Sequence, residues 1–320
     1  MKLATLTLQR FSGAPDITLS LLHPATQQPH PITLITGRAA SGKTSVLRAI
    51  AALKELVSGH GPPPDPAHLR RRGSPTGKIA ATWILSPAEA GVAGVPGPTL
   101  VTEVSLDDGP APLFDPGVRA LFSRHSMEVF PARRWIPPAR PTMSAPPSDL
   151  MDPRHRLSSD PRKYAGVRQA ILDLALGDAV RAAERLTERG VVARWEQADP
   201  LAAIKRSLAA LAPGIRLTGV ELHGPSAAVR FVRRDGVTLD LDDLSESEQD
   251  ALIFAVMFDR IGIAGAIVAI DRPELHLPSD DQARFLRALG SLGEDNQIIA
   301  ATGSEALVAA MEAPAVVRLP

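Results

Sequence analysis

"LITGRAASGKTSVL" occupies residues 34–47, and its reading decides the fold. It holds Gly37 and, after four intervening residues, the run Gly42-Lys43-Thr44, the Walker A spacing. Glycines at those two places let backbone amides curl around phosphate oxygens. A helix beginning near Lys43 turns its positive end toward them, Lys43 adds a point charge, and the Thr44 hydroxyl suits Mg²⁺. A glycine turn before a helix also arises by chance. Here the flanks carry the context that chance lacks: an apolar strand over 30–37, and a stripe of Val46, Ile50, Leu53 and Val57 with helical spacing, stopped by Gly59. The whole loop, Gly37, Arg38, Ala39, Ala40, Ser41, Gly42, Lys43 and Thr44, is the candidate phosphate site. Ala40 could not take a positive φ cheaply if the loop demanded one.

A second acid follows far downstream. "AIVAID" (266–271) is apolar on both faces and ends in Asp271, as a buried parallel strand delivering a carboxylate at its C-terminal edge would. Ligands bind at that edge in open α/β sheets, so Asp271 is expected to reach Mg²⁺ directly or through water. "LDDLSESEQDALIFAVMF" (241–258) precedes it, and Ser245 with Glu248 before an apolar run is a capping box.

Taken together with "PELHL" (273–277) and "IIAATGSEAL" (298–307), these motifs make the chain resemble the ABC-type ATPase heads of the RecF, SMC and OLD families, AAA-type P-loop proteins of bacterial repair and anti-phage systems. The order runs Walker A, helical insertion, LSxGE-like signature, Walker B with its PExxLH-like tail, then a switch region, across nearly the whole chain. The resemblance implies an α/β P-loop NTPase: a mostly parallel core sheet, an antiparallel side sheet and an inserted helical lobe. It also implies ATP and Mg²⁺ as ligands, with Thr44 and Asp271 on the metal. Two heads of such families sandwich nucleotide, so Ser245, Ser247 and Glu248 would meet a γ-phosphate held by a partner. That role is compatible with capping, since a helix N-terminus with free amides favours an anion. A homodimer or a hetero-partner across the nucleotide face is implied, with effector chemistry on a separate polypeptide.

The departures from the pattern all fall on the hydrolytic side. Ser247 stands at the signature glycine, Arg272 at the catalytic glutamate, Gly303 at the switch histidine, and no glutamine occurs between Gln28 and Gln169. A guanidinium does not accept a proton from water at usable pH. Losing a positioned base costs roughly 10²–10⁴-fold in rate. Glu274 is the nearby carboxylate that could replace it, although family members carry a glutamate there in addition to the catalytic one. The expectation is a nucleotide-dependent switch with weak or absent hydrolysis; the alternative is a working ATPase of a repair or defence system that uses Glu274.

Working outward, the 320 residues are 44% apolar, with 35 basic and 35 acidic side chains and no cysteine, which excludes disulfides, thiolate zinc and cysteine nucleophiles. The apolar run 261–270 is too short to span a bilayer, and a cytoplasmic protein is expected. The expected organisation is a first half of the ATPase core over 1–130, a proline-rich connection over 131–161, a helical lobe over 162–212 and a second half over 213–320. Strands are expected at 2–11, 16–22, 78–85 and 99–106, the last two joined by a Gly/Pro linker, and residues 60–77 read as a loop. The lobe should hold a helix ending at Gly190 and another capped by Asp199 with Pro200 at its first position. A hairpin turns at Asp235-Gly236, and then helix and strand alternate over 246–260, 265–270, 280–292, 296–302, 304–311 and 314–319. The basic runs 68–74, 132–135 and 230–236 read as solvated faces rather than a track for a phosphate backbone. His276 reads as a packing residue. No NKxD motif supports a GTPase, and with 17 residues after Gly303 a fused nuclease domain of ~100 residues is not expected.

Overall fold

The computed structural model describes residues 1–58, 64–109, 112–139, 141–143, 150, 152–177, 199–224 and 226–320. The chain forms two compact units. The first contains Met1–Ala132, Arg156–Ser159 and Ile263–Pro320; the second contains Arg133–His155 and Asp160–Gly262.

The first unit opens with β1 (Lys2–Gln9), β2 (Ile17–Ser20) and β3 (Ile32–Thr36), and α1 (Lys43–Ser58) follows the phosphate loop. Next come α2 (Pro66–Leu69), β4 (Lys78–Ile84), α3 (Pro87–Ala93), β5 (Thr99–Ser105), α4 (Pro116–Arg124) and β6 (Met127–Phe130). In the second unit, α5 (Pro153–Arg156, its last residue already in the first unit) and a 3-10 turn lead to α6, helical over 167–177 as far as it is described. They are followed by α7 (Ala202–Leu211), β7 (Ile215–His223), β8 (Ser226–Arg233), β9 (Thr238–Asp240) and α8 (Glu246–Ile261). The chain completes the first unit with β10 (Ile267–Asp271), α9 (Ser279–Gly290), β11 (Gln297–Ala301), α10 (Glu305–Ala309) and β12 (Val316–Arg318).

Two sheets build the first unit. The five-stranded sheet, in the order β12-β3-β11-β10-β6, is parallel throughout. The four-stranded sheet, β2-β1-β4-β5, is antiparallel. Strands β10 and β11 are buried at every position, as strands covered on both faces must be, whereas β4 and β5 alternate. Gln297, almost wholly buried, ties the sheets together: its side chain accepts from Leu3 N at 2.7 Å and donates to Leu3 O at 2.8 Å. Helix α1 lies in the shared core with Val46, Ile50 and Leu53 inward, the face its spacing predicts. Its expected stop, Gly59, lies outside the described residues.

Several expectations need correction. The linker between β4 and β5 holds α3, started by a Ser86–Glu89 capping box with Pro87 at its first position. Residues 60–77 are not all loop, because α2 lies there. Helix α7 begins at Ala202, two residues later than expected, and Asp199 instead caps the turn before it by accepting from Leu201 N at 3.0 Å. Gly190 lies outside the described residues. The hairpin at Asp235-Gly236 is present, with Gly236 at φ 87° and Arg230 paired with Asp240 across it. Strand β7 extends that hairpin to three strands, and β6 forms the edge of the parallel sheet.

Candidate functional site

Strand β3 ends at Thr36 and the loop 37–42 turns the chain into α1. Gly42 sits at φ 91°, and a Cβ there would come within 2.6 Å of Gly13 O; a Cβ on Gly37 would meet Ser41 Oγ at 2.7 Å. Gly42 is therefore required by packing, whereas Gly37 is favoured by its φ of 153° and by Leu319 O, 3.0 Å from where a Cβ would stand. Ala40 does hold φ 62°, the positive value that an alanine adopts at a cost of roughly 1–2 kcal/mol. The loop demands left-handed backbone at a place where this chain has no glycine. Lys43 Nζ folds over the loop and donates to Gly37 O at 2.9 Å and Arg38 O at 2.7 Å.

Asp271 ends β10 and is almost fully buried. The Thr44 hydroxyl donates to its Oδ2 at 2.9 Å. Two oxygen-bearing side chains separated by 227 residues thus meet at one point, beside the N-terminus of α1. They suit Mg²⁺, a hard cation that takes one or two carboxylate or hydroxyl oxygens and keeps several waters. Among the described residues no cluster of three or more His, Asp or Glu could hold a metal without such help.

After Asp271 the chain departs sharply from the strand. Arg272 takes φ 52° and His276 φ 65°, with both side chains exposed. The Arg272 amide donates to Ala301 O at 2.8 Å, which fixes the turn against β11. Glu274 Oε1 accepts from Gly303 N at 3.2 Å, and its Oε2 is buried without a hydrogen-bond partner. Glu274 therefore ties the turn to the end of β11, and Gly303 contributes only backbone.

The signature residues belong to the second unit and start α8. Ser245 caps it: its N donates to Glu248 Oε2 at 2.9 Å, its Oγ to the same oxygen at 2.8 Å, and Ser247 Oγ lies 3.2 Å from Ser245 Oγ. Ser245 is exposed, Ser247 and Glu248 half-buried.

Residues with no sequence signal buttress both elements. Gly13 and Ala14 pack on the phosphate loop, and Arg71 holds their turn by donating to Ala14 O at 2.6 Å and Asp16 Oδ1 at 2.9 Å. Arg70 reaches Pro75 O and Asp108, so Arg70 and Arg71 of the run 68–74 are committed within the fold, while Arg72 is exposed. In the second unit Arg134 is buried against α8, 2.7 Å from Asp250 Oδ2, with its guanidinium over the Phe254 ring. Arg230 pairs with Glu221 and Asp240, and Arg233 with Asp235. These arginines make neither a free basic stripe nor, for Arg134, a solvated face. On α1, Lys54 is buried and donates to His125 O at 2.9 Å and to Phe122 O, closing the end of α4. Burial pushes its ammonium down to about 8, with the Arg156 charge acting in the same direction.

No protein-family model matches the sequence, and no curated protein does. Solved structures do. An SMC head bound to the C-winged helix domain of ScpA superposes with a TM-score of 0.55 at 15% identity, over 97% of this chain and 92% of that one. The Pyrococcus furiosus SMC head domain with an extended coiled coil, bound to the C-terminal domain of ScpA, gives 0.50 at 13% identity over 97% and 91%. The fold matches that of an SMC head. At 13–15% identity the likeness speaks for the fold alone. No helix among the described residues is long and apolar enough to cross a membrane.

Proposed function

We propose that this chain is an ATP-holding head that binds Mg²⁺–ATP at residues 37–44 and Asp271, and works as a nucleotide-dependent dimerisation or partner switch with weak or absent hydrolysis. The observation that carries this reading is the 2.9 Å meeting of Thr44 and Asp271 beside a phosphate loop, with an arginine as the next residue. Lys43 would leave the loop carbonyls for the β- and γ-phosphates, and Thr44 and Asp271 would hold the metal, which neutralises phosphate charge when bound. Arg272 cannot take a proton from water; an exposed guanidinium at that exit favours retention of a triphosphate. One Glu274 oxygen is committed to Gly303 N and the other is buried away from solvent, which counts against a role as replacement base.

Ser245, Ser247 and the amides at the start of α8 would contact the γ-phosphate held by a second subunit. The similar SMC heads are bound to ScpA domains, which supports a hetero-partner as an alternative to a second copy. The pairing of Arg70, Arg71, Arg134 and Arg230 within the fold gives no support to nucleic acid binding.

The test is equilibrium ATP binding with Mg²⁺ for the wild type and Lys43→Ala, alongside phosphate release. Binding that falls at least 100-fold in Lys43→Ala, without measurable release, supports the switch. Release that disappears in Glu274→Gln would instead support the ATPase alternative.

A further inference from the structure

Two arginines of the second unit carry charge that the nucleotide reading does not use. On β8 the buried residues Ala227, Val229 and Phe231 alternate with Ser226, Ala228 and Arg230, so these last three share the other face of the strand. Across the ladder, His223 stands opposite Ser226 and Glu221 opposite Ala228. Arg230 donates from Nε to Glu221 Oε2 at 2.5 Å and from Nη1 to Asp240 Oδ1 at 2.6 Å. Its Nη2 lies 3.3 Å from His223 Nε2. Two residues beyond Asp240, Asp242 meets the second arginine: Arg168 Nη1 donates to Asp242 Oδ2 at 3.4 Å, and Nη2 donates to Oδ1. Arg168 Nε donates to Pro137 O at 3.1 Å, and its side chain is only 8% exposed. The two arginines are thus linked through one short stretch of chain, Asp240 to Asp242.

These groups surround a cavity of about 390 Å³ that lies wholly within the second unit. Arg168, His223, Ser226, Arg230, Asp240 and Asp242 line it, with Ala228 in its wall. The volume falls toward the small end of the range for small-molecule sites, roughly 300–1,000 Å³. The lining retains hydrogen-bonding capacity. A guanidinium has five N–H donors and a carboxylate about four lone-pair sites; the contacts above engage three donors on each arginine, while Asp240 is half-buried and Asp242 exposed. Two guanidiniums and two carboxylates face the space, so their charges cancel. Glu221 pairs with Arg230 from β7 but does not line the cavity. A simple anion would meet Asp240 and Asp242, and a simple cation would meet both arginines. A ligand that carries both charges close together sets each against its opposite, and hydrogen bonds between ionised groups are the strong ones.

We infer that this cavity binds a free α-amino acid as its zwitterion, with the ligand carboxylate on Arg168 and Arg230 and the ligand ammonium on Asp240 and Asp242. The site adjoins the signature. Asp240 N donates to Asp243 Oδ2 at 2.8 Å, and Leu244 joins that turn to Ser245, the cap of α8. Occupancy therefore bears on the turn from which α8 starts. The inference stands apart from the nucleotide reading, because none of its residues belongs to the phosphate loop or to β10.

The experiment is calorimetric titration of the full chain with each common L-amino acid, without nucleotide. At least one should bind. Its N-acetyl and methyl ester forms, each lacking one of the two charges, should bind about 10-fold more weakly or worse, the scale of a lost charge-assisted hydrogen bond. Inorganic phosphate should not displace it. Ala228→Leu fills the cavity without removing a charge, and Arg230→Gln removes a guanidinium; each should lower the affinity by about 10-fold or more, with circular dichroism reporting that the variant is folded. Should Arg230→Gln not fold, Ala228→Leu and the two derivatives decide. Absence of binding by every amino acid overturns the inference, as does an N-acetyl or ester form that binds as well as the parent. Displacement by phosphate, or wild-type affinity in Ala228→Leu, overturns it too.

Discussion

The phosphate loop at 37–44 and the turn at 271–276 both hold non-glycine residues in left-handed backbone: Ala40 at 62°, Arg272 at 52° and His276 at 65°. Strain of this kind collects where a site over-determines the chain. The chemistry of the two loops differs. The first keeps each group that phosphate binding needs, two packed glycines, a lysine and a threonine. The second keeps Asp271 and its backbone anchors, Arg272 N on Ala301 O and Glu274 on Gly303 N, and places Arg272 where the resemblance expects a catalytic glutamate. On the proposed reading, scaffold and catalytic group are separable: the chain keeps the shape of a hydrolytic loop without its hydrolytic residue.

The largest effect that sharpens this contrast lies in the second unit. Asp250→Ala should destabilise the protein by about 3–5 kcal/mol, because it leaves the Arg134 guanidinium buried without its carboxylate, and chemical denaturation reads it. A loss under 1 kcal/mol would show that α8 does not depend on that pair. Next, Lys43→Ala should weaken ATP binding by about 3 kcal/mol, the scale of charge-assisted bonds to phosphate, while leaving the denaturation midpoint close to wild type.

Acid should then act through His125. Burial, with neighbouring positive charges adding, pushes its imidazole down to about 3. Its folded pKa lies below the unfolded one, so the unfolded chain binds the extra proton first. Stability is complete above about pH 6.5 and falls as pH drops toward 3, by about 1–2 kcal/mol at pH 5. His125→Gln should flatten that slope in pH-dependent denaturation. Lys54 works at the other end: its depressed pKa of about 8 makes stability rise between about pH 8 and 10.5, and Lys54→Met should remove the rise. The smallest effect is at Ala40. Glycine there relieves the positive φ and should raise stability by roughly 1 kcal/mol in chemical denaturation; a loss of stability would mean that the methyl group matters more than the strain.

Much of this contrast was legible in the residues. The strand, loop and helix around Gly37–Thr44 are local, and so is the Ser245–Glu248 cap, because its bonds span three residues. Asp271 could be recognised from the buried strand before it, and the alternation after 246 matches the elements to within a few residues. Strand β6 was not legible: four residues long, with Glu128 inside it, it has too little periodicity and is defined by its pairing with β10. Strand β7 carries a bulge near Gly219 and an exposed C-terminal half. Helix α3 did leave a signal, Ser86-Pro87 with Glu89, outweighed by the glycines around it. The proline-rich stretch made sense only in three dimensions, where Arg134 holds α8, Pro137 O accepts from Arg168 at 3.1 Å, and Arg156–Ser159 return to the Walker unit. The ion pairs that occupy the basic runs join residues up to 116 apart, a distance no local pattern encodes.

The fate of bound nucleotide tests the central claim most directly. Protein mixed with a substoichiometric amount of labelled ATP and Mg²⁺, then quenched over hours, should return the label as intact ATP, with Arg272→Glu plus Gly303→His converting it to ADP at a measurably higher rate. Label recovered as ADP from the wild type within seconds to minutes would contradict the account.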